Sequence, residues 1–358
     1  MISFFLGAGA SNPFDYPTTR EFKEIIANGL DDKFEVQGNL PELEKLAISI
    51  LKHRSYLDIE YVLEFMKRLL EMTKKQEYKV LTDFFGSYGF QGEIPNLYRG
   101  GNTQGAGLDR YFLHIESLMS FIVDNLYATY SSKPQNIEKS QRIYSSLFSI
   151  TNQETIEIFT TNYDSLIEDY CRKANYNLID GFEYDQNSGL KIWKPLLFDE
   201  KTTRNGRTII LYKLHGSLNW KRHKDSGIVK LEGTEKIMTD DWHYTDDLLV
   251  KPTLFPKEEE GEEPFRTLID KFGKKLMESD VCIVIGFSLR DRRITQILHD
   301  YLTRGKKLIL VSPNARRHFQ ESLGKISGEY DRNNCSFLEE RITYDNTENL
   351  VAKFKHHL

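Results

Sequence analysis

The chain has 358 residues, of which 39% are hydrophobic and 28% are charged, and its formal net charge is −5. This composition predicts a globular protein of two domains, or of one large domain with an insertion, and the acidic balance disfavours binding to nucleic acid or to a membrane surface. No apolar run approaches the roughly 20 residues that a membrane-spanning helix needs, and the chain starts directly as a core strand, so we expect neither a membrane span nor a signal peptide.

The cysteines are too few and too far apart for the common metal and disulfide frameworks. Cys171, Cys282 and Cys335 are the only three, and no pair has the Cys-x-x-Cys spacing. Three cysteines cannot supply a four-cysteine zinc site. The pattern predicts reduced, mostly buried thiols in a cytoplasmic protein without a metal.

The first predicted element is a short apolar strand, Ile2-Ser3-Phe4-Phe5-Leu6, which runs into Gly7-Ala8-Gly9-Ala10-Ser11. Glycine allows a positive φ and a close approach of the backbone to a ligand. A strand, a Gly-x-Gly turn and a helix together place backbone N–H groups at a helix N-terminus, where phosphate binds. The third glycine of the dinucleotide fingerprint is missing, so these residues alone leave both nucleotide binding and plain strand–helix packing open.

Helical spacing of apolar residues dominates the next part of the chain. It predicts a helix over 17–30 and, after a polar loop at 31–39, further helices over 41–53, 58–74, 77–85, 108–130 and 136–150. The glycine-rich stretch 86–107 is predicted to be a surface loop, either a tolerated insertion or a lid over a site. We therefore predict that residues 31–150 form a helical module inserted into an α/β domain built from residues 1–30 and 151–358.

The rest of the chain contains further predicted strands that end in small or polar residues. The strands are 156–160, 208–213, 281–285 and 307–311, followed by Thr161-Asn162-Tyr163-Asp164, Leu214-His215-Gly216-Ser217-Leu218, Gly286-Phe287-Ser288 and Ser312-Pro313-Asn314. Helices are predicted over 165–174, 264–279 and 291–304, short strand-like pieces over 221–262, a short strand near 341–344 and a closing helix from 346. This alternation predicts an α/β fold with a Rossmann-like parallel sheet. Because α/β folds bind ligands outside the C-terminal ends of parallel strands, these strand ends together indicate a dinucleotide crevice.

These segments resemble the motifs of the sirtuin (silent information regulator) superfamily of NAD-consuming enzymes. The first motif of that family, Gly-Ala-Gly-x-Ser followed by Pro-x-x-Arg, matches Gly7, Ala8, Gly9, Ser11, Pro17 and Arg20 without a gap. The Thr-Gln-Asn-x-Asp motif is similar to residues 160–164, with Thr161 in place of the Gln, and Leu-His-Gly-Ser-Leu matches residues 214–218 in full. The Gly-Thr-Ser motif resembles residues 286–288, and the Asn of the last nucleotide-binding strand corresponds to Asn314.

The resemblance implies an NAD-binding fold, NAD as the substrate and a role for each matching residue. Asn162 would orient the attacking water and the ribose hydroxyls, His215 would be the general base, and Asp164 would hold the nicotinamide carboxamide. The other implied NAD contacts are Gly7, Ala8, Gly9, Ser11 and Arg20 at the pyrophosphate, Thr161 and Gly286 beside them, and Ser288 and Asn314 on the adenosine side.

The chain also departs from the protein-deacylating members of that family. Those enzymes carry a four-cysteine zinc module, which this chain lacks, and they have Phe where Thr19 stands. The larger helical insertion, and residues 15–22 in particular, resemble bacterial anti-phage effectors that hydrolyse NAD and assemble with a HerA-type ATPase. The resemblance therefore implies an NAD glycohydrolase that acts in abortive infection, forms a homo-oligomer and has a separately encoded HerA-type partner.

Other interpretations of the same residues remain open at this point. Asn162 and Asp164 could form a turn that caps the helix after them, and Ser288 or Asp291 could cap the helix that follows. The protein could also bind NAD or ADP-ribose as a sensor or regulatory subunit without turnover, or act as a deacylase or ADP-ribosyltransferase. The Asn162 and His215 pair disfavours a pure sensor, because a binding protein has no need of a base. An ordinary dehydrogenase is disfavoured because no acidic residue ends the second strand, where the ribose hydroxyls would be read.

Overall fold

The computed structural model describes residues 1–35, 121–122, 124–130, 134–200, 206–232, 244–249, 262–326 and 332–358. The chain divides into two compact units: the first is 1–18, 129–250 and 257–358, and the second is 19–128 and 251–256. The helices predicted over 41–53, 58–74 and 77–85, the glycine-rich stretch 86–107 and most of 108–130 lie outside the described residues.

A sheet of seven parallel strands forms the centre of the first unit, with the order β12-β11-β10-β1-β2-β6-β3. Its strands are β1 (Ile2–Leu6), β2 (Thr155–Thr160), β3 (Asn177–Ile179), β6 (Thr208–Lys213), β10 (Val281–Ile285), β11 (Lys307–Val311) and β12 (Cys335–Leu338). The predicted Rossmann-like parallel sheet is therefore confirmed. Strands β2 and β6 lie on one side of β1, and β10, β11 and β12, which come later in the chain, lie on its other side. The strand order thus reverses beside β1, which is where open α/β sheets have their ligand crevice.

The strand register aligns the segments that leave the sheet at this edge. Leu6 is paired with Thr160 on β2 and with Ile285 on β10. Thr160 is in turn paired with Lys213 on β6, and Ile285 with Val311 on β11. The residues that follow these five positions therefore start from one line across the sheet.

Helices cover both faces of this sheet. They are α1 (Ala8–Ser11), α3 (Pro134–Phe148), α4 (Leu166–Ala174), α5 (Phe265–Glu278), α6 (Arg292–Thr303), α7 (Ala315–Glu321) and α8 (Thr347–His357), while α2 (Thr19–Glu35) belongs to the second unit. Neighbouring residues of β1 show the two faces, since side chains alternate along a strand. Phe5 contacts Phe272 of α5 with ring centroids 5.5 Å apart, and Phe4 contacts Phe148 of α3 at 5.3 Å. All four rings are fully buried, so both faces of the sheet carry a hydrophobic core.

A second sheet, antiparallel and of five strands, follows the order β4-β5-β8-β7-β9. Its strands are β4 (Phe182–Asp185), β5 (Leu190–Trp193), β7 (Gly216–His223), β8 (Gly227–Lys230) and β9 (Tyr244–Leu249). The strand pieces predicted within 221–262 are confirmed for β8 and β9. Only Leu214 and His215 separate β6 from β7, so His215 lies at the junction of the two sheets.

Two sequence predictions are wrong. The loop predicted for 31–39 is helical as far as Glu35, because residues 31–35 contain no glycine or proline and their polarity alone does not interrupt α2. The strand predicted near 341–344 is absent, and the last strand is instead Cys335–Leu338, which pairs with β11. Thr343 bonds locally: its N–H donates to Asn346 Oδ1 at 2.8 Å and its Oγ1 accepts from the Asn346 N–H at 3.2 Å. This turn leads into α8 and uses backbone groups that a strand would need.

The prediction of reduced, mostly buried thiols is confirmed: the three cysteines, all in the described part of the chain, form no disulfide with one another, and Cys171 and Cys282 are buried while Cys335 is partly buried. Within the part of the chain that the structure describes, no helix is long and apolar enough to cross a membrane.

Candidate active site

The glycine turn after β1 packs backbone to backbone against the turn after β10. The N–H of Gly7 donates to the carbonyl of Ile285, and the N–H of Gly9 donates to the carbonyl of Gly286, both at 2.9 Å. Gly286 has a φ of +67°, and a Cβ built there would lie 2.3 Å from the Ala10 nitrogen. Side chains are therefore excluded from this contact, and Ala8 and Gly9 remain partly exposed above it.

Asn162 connects the ends of β1 and β2. Its Nδ2 donates to the carbonyl of Gly7 at 3.0 Å and to Ser11 Oγ at 2.8 Å. Ser11 Oγ donates in turn to Asp164 Oδ2 at 2.7 Å. Both N–H groups of the Asn162 amide are engaged in this way, so its oxygen Oδ1 is the atom that it can direct to a ligand. The structure thus brings together four of the sequence-predicted residues.

Asp164 is buried, with 6% of its surface exposed. Its second oxygen, Oδ1, accepts from the N–H of Leu166 at 3.1 Å, so Asp164 also makes the local turn that leads into α4. Burial raises the pKa of Asp164, and the charge of Lys213 together with the hydrogen bonds from Ser11 and Leu166 opposes this rise only in part. Each oxygen keeps a further lone pair for a ligand.

A fully buried lysine supports the turn that contains Asp164. Lys213 Nζ donates to the backbone carbonyls of Tyr163, at 3.4 Å, and of Asp164, and it pairs with Glu168 of α4 at 3.2 Å. Glu168 pairs also with Lys230 of β8 at 3.4 Å. Burial alone would raise the pKa of Glu168, but the two lysines outweigh it and lower that pKa. This network has only one signal in the sequence, a lysine at the end of the apolar run of β6, and was not predicted.

His215 is paired with Asp291, the N-cap of α6, which follows β10, a strand that is not adjacent to β6 in the sheet. Its Nε2 lies 3.0 Å from Asp291 Oδ2, and the two side chains are 17% and 13% exposed. Asp291 Oδ1 accepts from the N–H of Ile294 at 3.0 Å, so the predicted capping role of Asp291 is confirmed. Burial acts to raise the pKa of Asp291, but the hydrogen bond and charge of His215 and the N–H groups of α6 lower it below its usual value. The pair could not be predicted from the sequence, because 76 residues separate its members.

The other predicted contacts lie around this network or apart from it. The N–H of Thr161 donates to the carbonyl of Leu6 at 3.3 Å. Ser288 is partly buried in the turn after β10 and does not cap α6, and Asn314 is exposed at the start of α7. Arg20 belongs to the second unit, where its side chain is 85% exposed and lies 3.8 Å from Glu24. Among the described residues, no group of three or more His, Cys, Asp or Glu side chains is arranged to hold a metal ion.

Residues 156–333 match the family model of the SIR2-like domain. The matched part begins at β2 and includes Asn162, Asp164, His215, Gly286 and Asn314. The match supports the resemblance to sirtuins for the part of the chain that carries the two predicted catalytic residues.

Several solved structures are similar to this chain at low identity. A Sir2 homologue with three substitutions, in complex with 2′-O-acetyl ADP ribose, is 14% identical, with 99% of this chain and 92% of the other covered and a TM-score of 0.45. A complex of a Sir2 homologue with NAD is 12% identical, with coverages of 99% and 88% and a TM-score of 0.41. A mutant Sir2 homologue in complex with ADP ribose is 13% identical, with coverages of 99% and 90% and a TM-score of 0.40. A search of curated proteins gave no match.

Proposed function

We propose that this protein is an NAD+ glycohydrolase, which hydrolyses NAD+ to nicotinamide and ADP-ribose with release of a proton. The observation that carries the proposal is the placement of Asn162 and His215. Each lies two residues beyond a register pair, Thr160 and Lys213, of the adjacent strands β2 and β6. The N–H of Leu214 donates to the carbonyl of Thr160 at 2.8 Å and ties the two segments together where they leave the sheet.

Cleavage of this glycosidic bond needs no acid for the leaving group, but it needs a positioned and activated nucleophile. Nicotinamide leaves from a cationic pyridinium, so it needs no acid, and the ribose carbon passes through an oxocarbenium-like transition state. His215 takes the proton from water, since an imidazole is suited to base catalysis near neutral pH. Asn162 Oδ1 accepts a hydrogen bond from that water or from a ribose hydroxyl, and its amide is held in place by Gly7 and Ser11. Holding the ribose and the water in the reactive geometry supplies the part of the rate enhancement that comes from positioning.

The remaining residues provide for binding. The turn from Gly7 to Ser11 lies beside the point where the strand order reverses, and we assign it to the pyrophosphate. Asp164 is assigned to the nicotinamide carboxamide, Thr161 and Gly286 to the floor of the crevice, and Ser288 and Asn314 to the adenosine side. NAD+ is thus the substrate, and the mechanism requires no metal.

The biological setting that we propose rests on the resemblance of residues 15–22 and of the insertion to anti-phage effectors. In that setting the protein depletes cytoplasmic NAD+ during infection, as a homo-oligomer with a HerA-type ATPase as partner. An NAD or ADP-ribose sensor without turnover is the alternative, followed by a deacylase or ADP-ribosyltransferase.

The test is incubation of the purified chain with NAD+, alone and with a co-expressed HerA-type ATPase, with nicotinamide and ADP-ribose quantified by chromatography. We expect both products in equal amounts, and a loss of at least about 100-fold in His215→Ala and Asn162→Ala. His356→Ala, on the exposed end of α8, is the matched control and should keep full activity.

Calorimetric titration with NAD+ separates the alternatives. We expect His215→Ala to bind NAD+ although it does not cleave it. Binding by the wild type without turnover, under every partner condition, would refute the hydrolase and favour the sensor. Nicotinamide release that depends on an acylated peptide would favour the deacylase, and ADP-ribose attached to protein would favour the transferase.

A further inference from the structure

The carboxylate of Asp291 is shared between a helix and the histidine of the candidate site. Oδ1 accepts from the N–H of Ile294 in the first turn of α6, and Oδ2 lies 3.0 Å from His215 Nε2. An aspartate at the N-cap of a twelve-residue helix is stabilised as the anion by the helix N–H groups and the helix dipole. The carboxylate is therefore held in one orientation, with one oxygen directed at the imidazole.

This contact determines which nitrogen of His215 carries the proton. A neutral imidazole has one N–H donor and one acceptor nitrogen, and a carboxylate only accepts. The nitrogen that faces Asp291 is Nε2, so it bears the hydrogen and the lone pair is on Nδ1. We propose that Asp291 is a positioning residue that holds His215 in the Nε2–H tautomer and makes Nδ1 the atom that accepts the proton from water. The choice of Nδ1 as the base rests on the proposed hydrolase function, whereas the tautomer does not.

The backbone of the turn before α6 places Asp291 beside His215. Strands β10 and β6 are separated in the sheet by β1 and β2, so the segment after β10 must reach past two strand ends. Two residues before Asp291, Leu289 has a φ of +58°, which is rare for a leucine. Its side chain is 2% exposed in the core, and its carbonyl accepts from Thr295 Oγ1 at 3.0 Å. Packing and this hydrogen bond hold the left-handed turn, as is common where backbone strain serves a site.

A simple helix cap would explain one oxygen of Asp291 but not the other, and Asp291→Asn separates the two roles. Asparagine caps helices as well as aspartate does, so α6 should be retained. Its Oδ1 can keep the Ile294 bond, and its NH2 then faces His215 Nε2, which must accept and shift the proton to Nδ1. We expect kcat to fall roughly 10²- to 10⁴-fold, as when the partner of a catalytic histidine is replaced by its amide. KM and the unfolding midpoint should stay close to wild type.

The experiment combines kinetics with ¹⁵N NMR of histidine-labelled protein, in which the shifts of the two ring nitrogens identify the tautomer and His215→Ala assigns the signal. Asp300→Asn, on the exposed side of α6, is the matched control and should change neither kcat nor the signal. An Nδ1–H tautomer in the wild type, or an Asp291→Asn variant with kcat within about threefold of wild type, would overturn the proposal. If the wild type has no turnover, the hydrolase proposal fails, while the wild-type tautomer still decides whether Asp291 positions His215.

Discussion

Replacing Glu157 by glutamine should make the stability of this protein less dependent on pH. Glu157 lies on β2 between Ser3 of β1 and Ile210 of β6, and only 5% of its surface is exposed. Its Oε2 accepts no hydrogen bond within the described part of the chain. Burial raises the pKa of Glu157 from its usual 4.5 to about 7; the charge of Lys275 opposes the rise, and that of Glu278 adds to it.

The sign of the effect follows from which state holds the proton. Between pH 4.5 and about 7 the folded protein keeps a proton on Glu157 that the unfolded chain has released. The free energy of unfolding therefore falls as pH rises through this window, and it stays low above it. A difference of about 2.5 pKa units, at 1.36 kcal/mol each, amounts to about 3 kcal/mol. Glutamine has a similar size and no charge, so Glu157→Gln should match the wild type near pH 4 and exceed it by up to about 3 kcal/mol at pH 8.

Guanidinium titrations of wild type and variant at pH 4, 6 and 8 measure this difference. Glu154→Gln, at the exposed residue just before β2, is the matched control and should show no pH-dependent gain. A Glu157→Gln variant that is less stable than the wild type at pH 8, or whose advantage does not grow between pH 4 and pH 8, would refute the reasoning. Such a result would mean that the carboxylate is stabilised in the folded protein.

The buried lysine and the glycine contact allow two further predictions. Lys213→Met removes the cation beneath Glu168 and leaves the carbonyls of Tyr163 and Asp164 without their donor, so it should cost about 3–5 kcal/mol by denaturant titration. Lys194→Met breaks only the exposed pair with Glu183 and should leave the unfolding midpoint close to that of the wild type; equal losses in the two variants would count against the buried network. Gly286→Ala places a Cβ 2.3 Å from the Ala10 nitrogen at a φ of +67°, so the two turns must separate, with an expected loss of roughly 2 kcal/mol and of NAD+ binding by calorimetry. Gly273→Ala in α5, where a Cβ meets nothing within 4 Å, should instead stabilise by about 0.5–1 kcal/mol, and a similar loss in both variants would show that the close contact is not the cause.

Much of the parallel sheet could be predicted from local sequence. The strands at 208–213, 281–285 and 307–311 have the predicted bounds, because a run of four or five apolar residues between polar residues fits a strand that is buried on both faces. The strand near 341–344 was misplaced because its alternating pattern is equally compatible with the local turn between Thr343 and Asn346. Polarity alone likewise could not distinguish an exposed helix from a loop at 31–35.

The candidate site, like the sheet, could be predicted from the sequence only in part. The sequence by itself determined which residues leave the C-terminal ends of the strands, since strand and helix periods are local properties of the chain. Asn162, Ser11 and Asp164 could therefore be named before the structure, and the structure brings them into one hydrogen-bonded network. Only the tertiary structure decided that Asp291 faces His215 and that Lys213 lies beneath Asp164. These contacts join segments 76 and 49 residues apart, and strand order, register and the left-handed turn at Leu289, rather than any local pattern, bring their side chains within hydrogen-bonding distance.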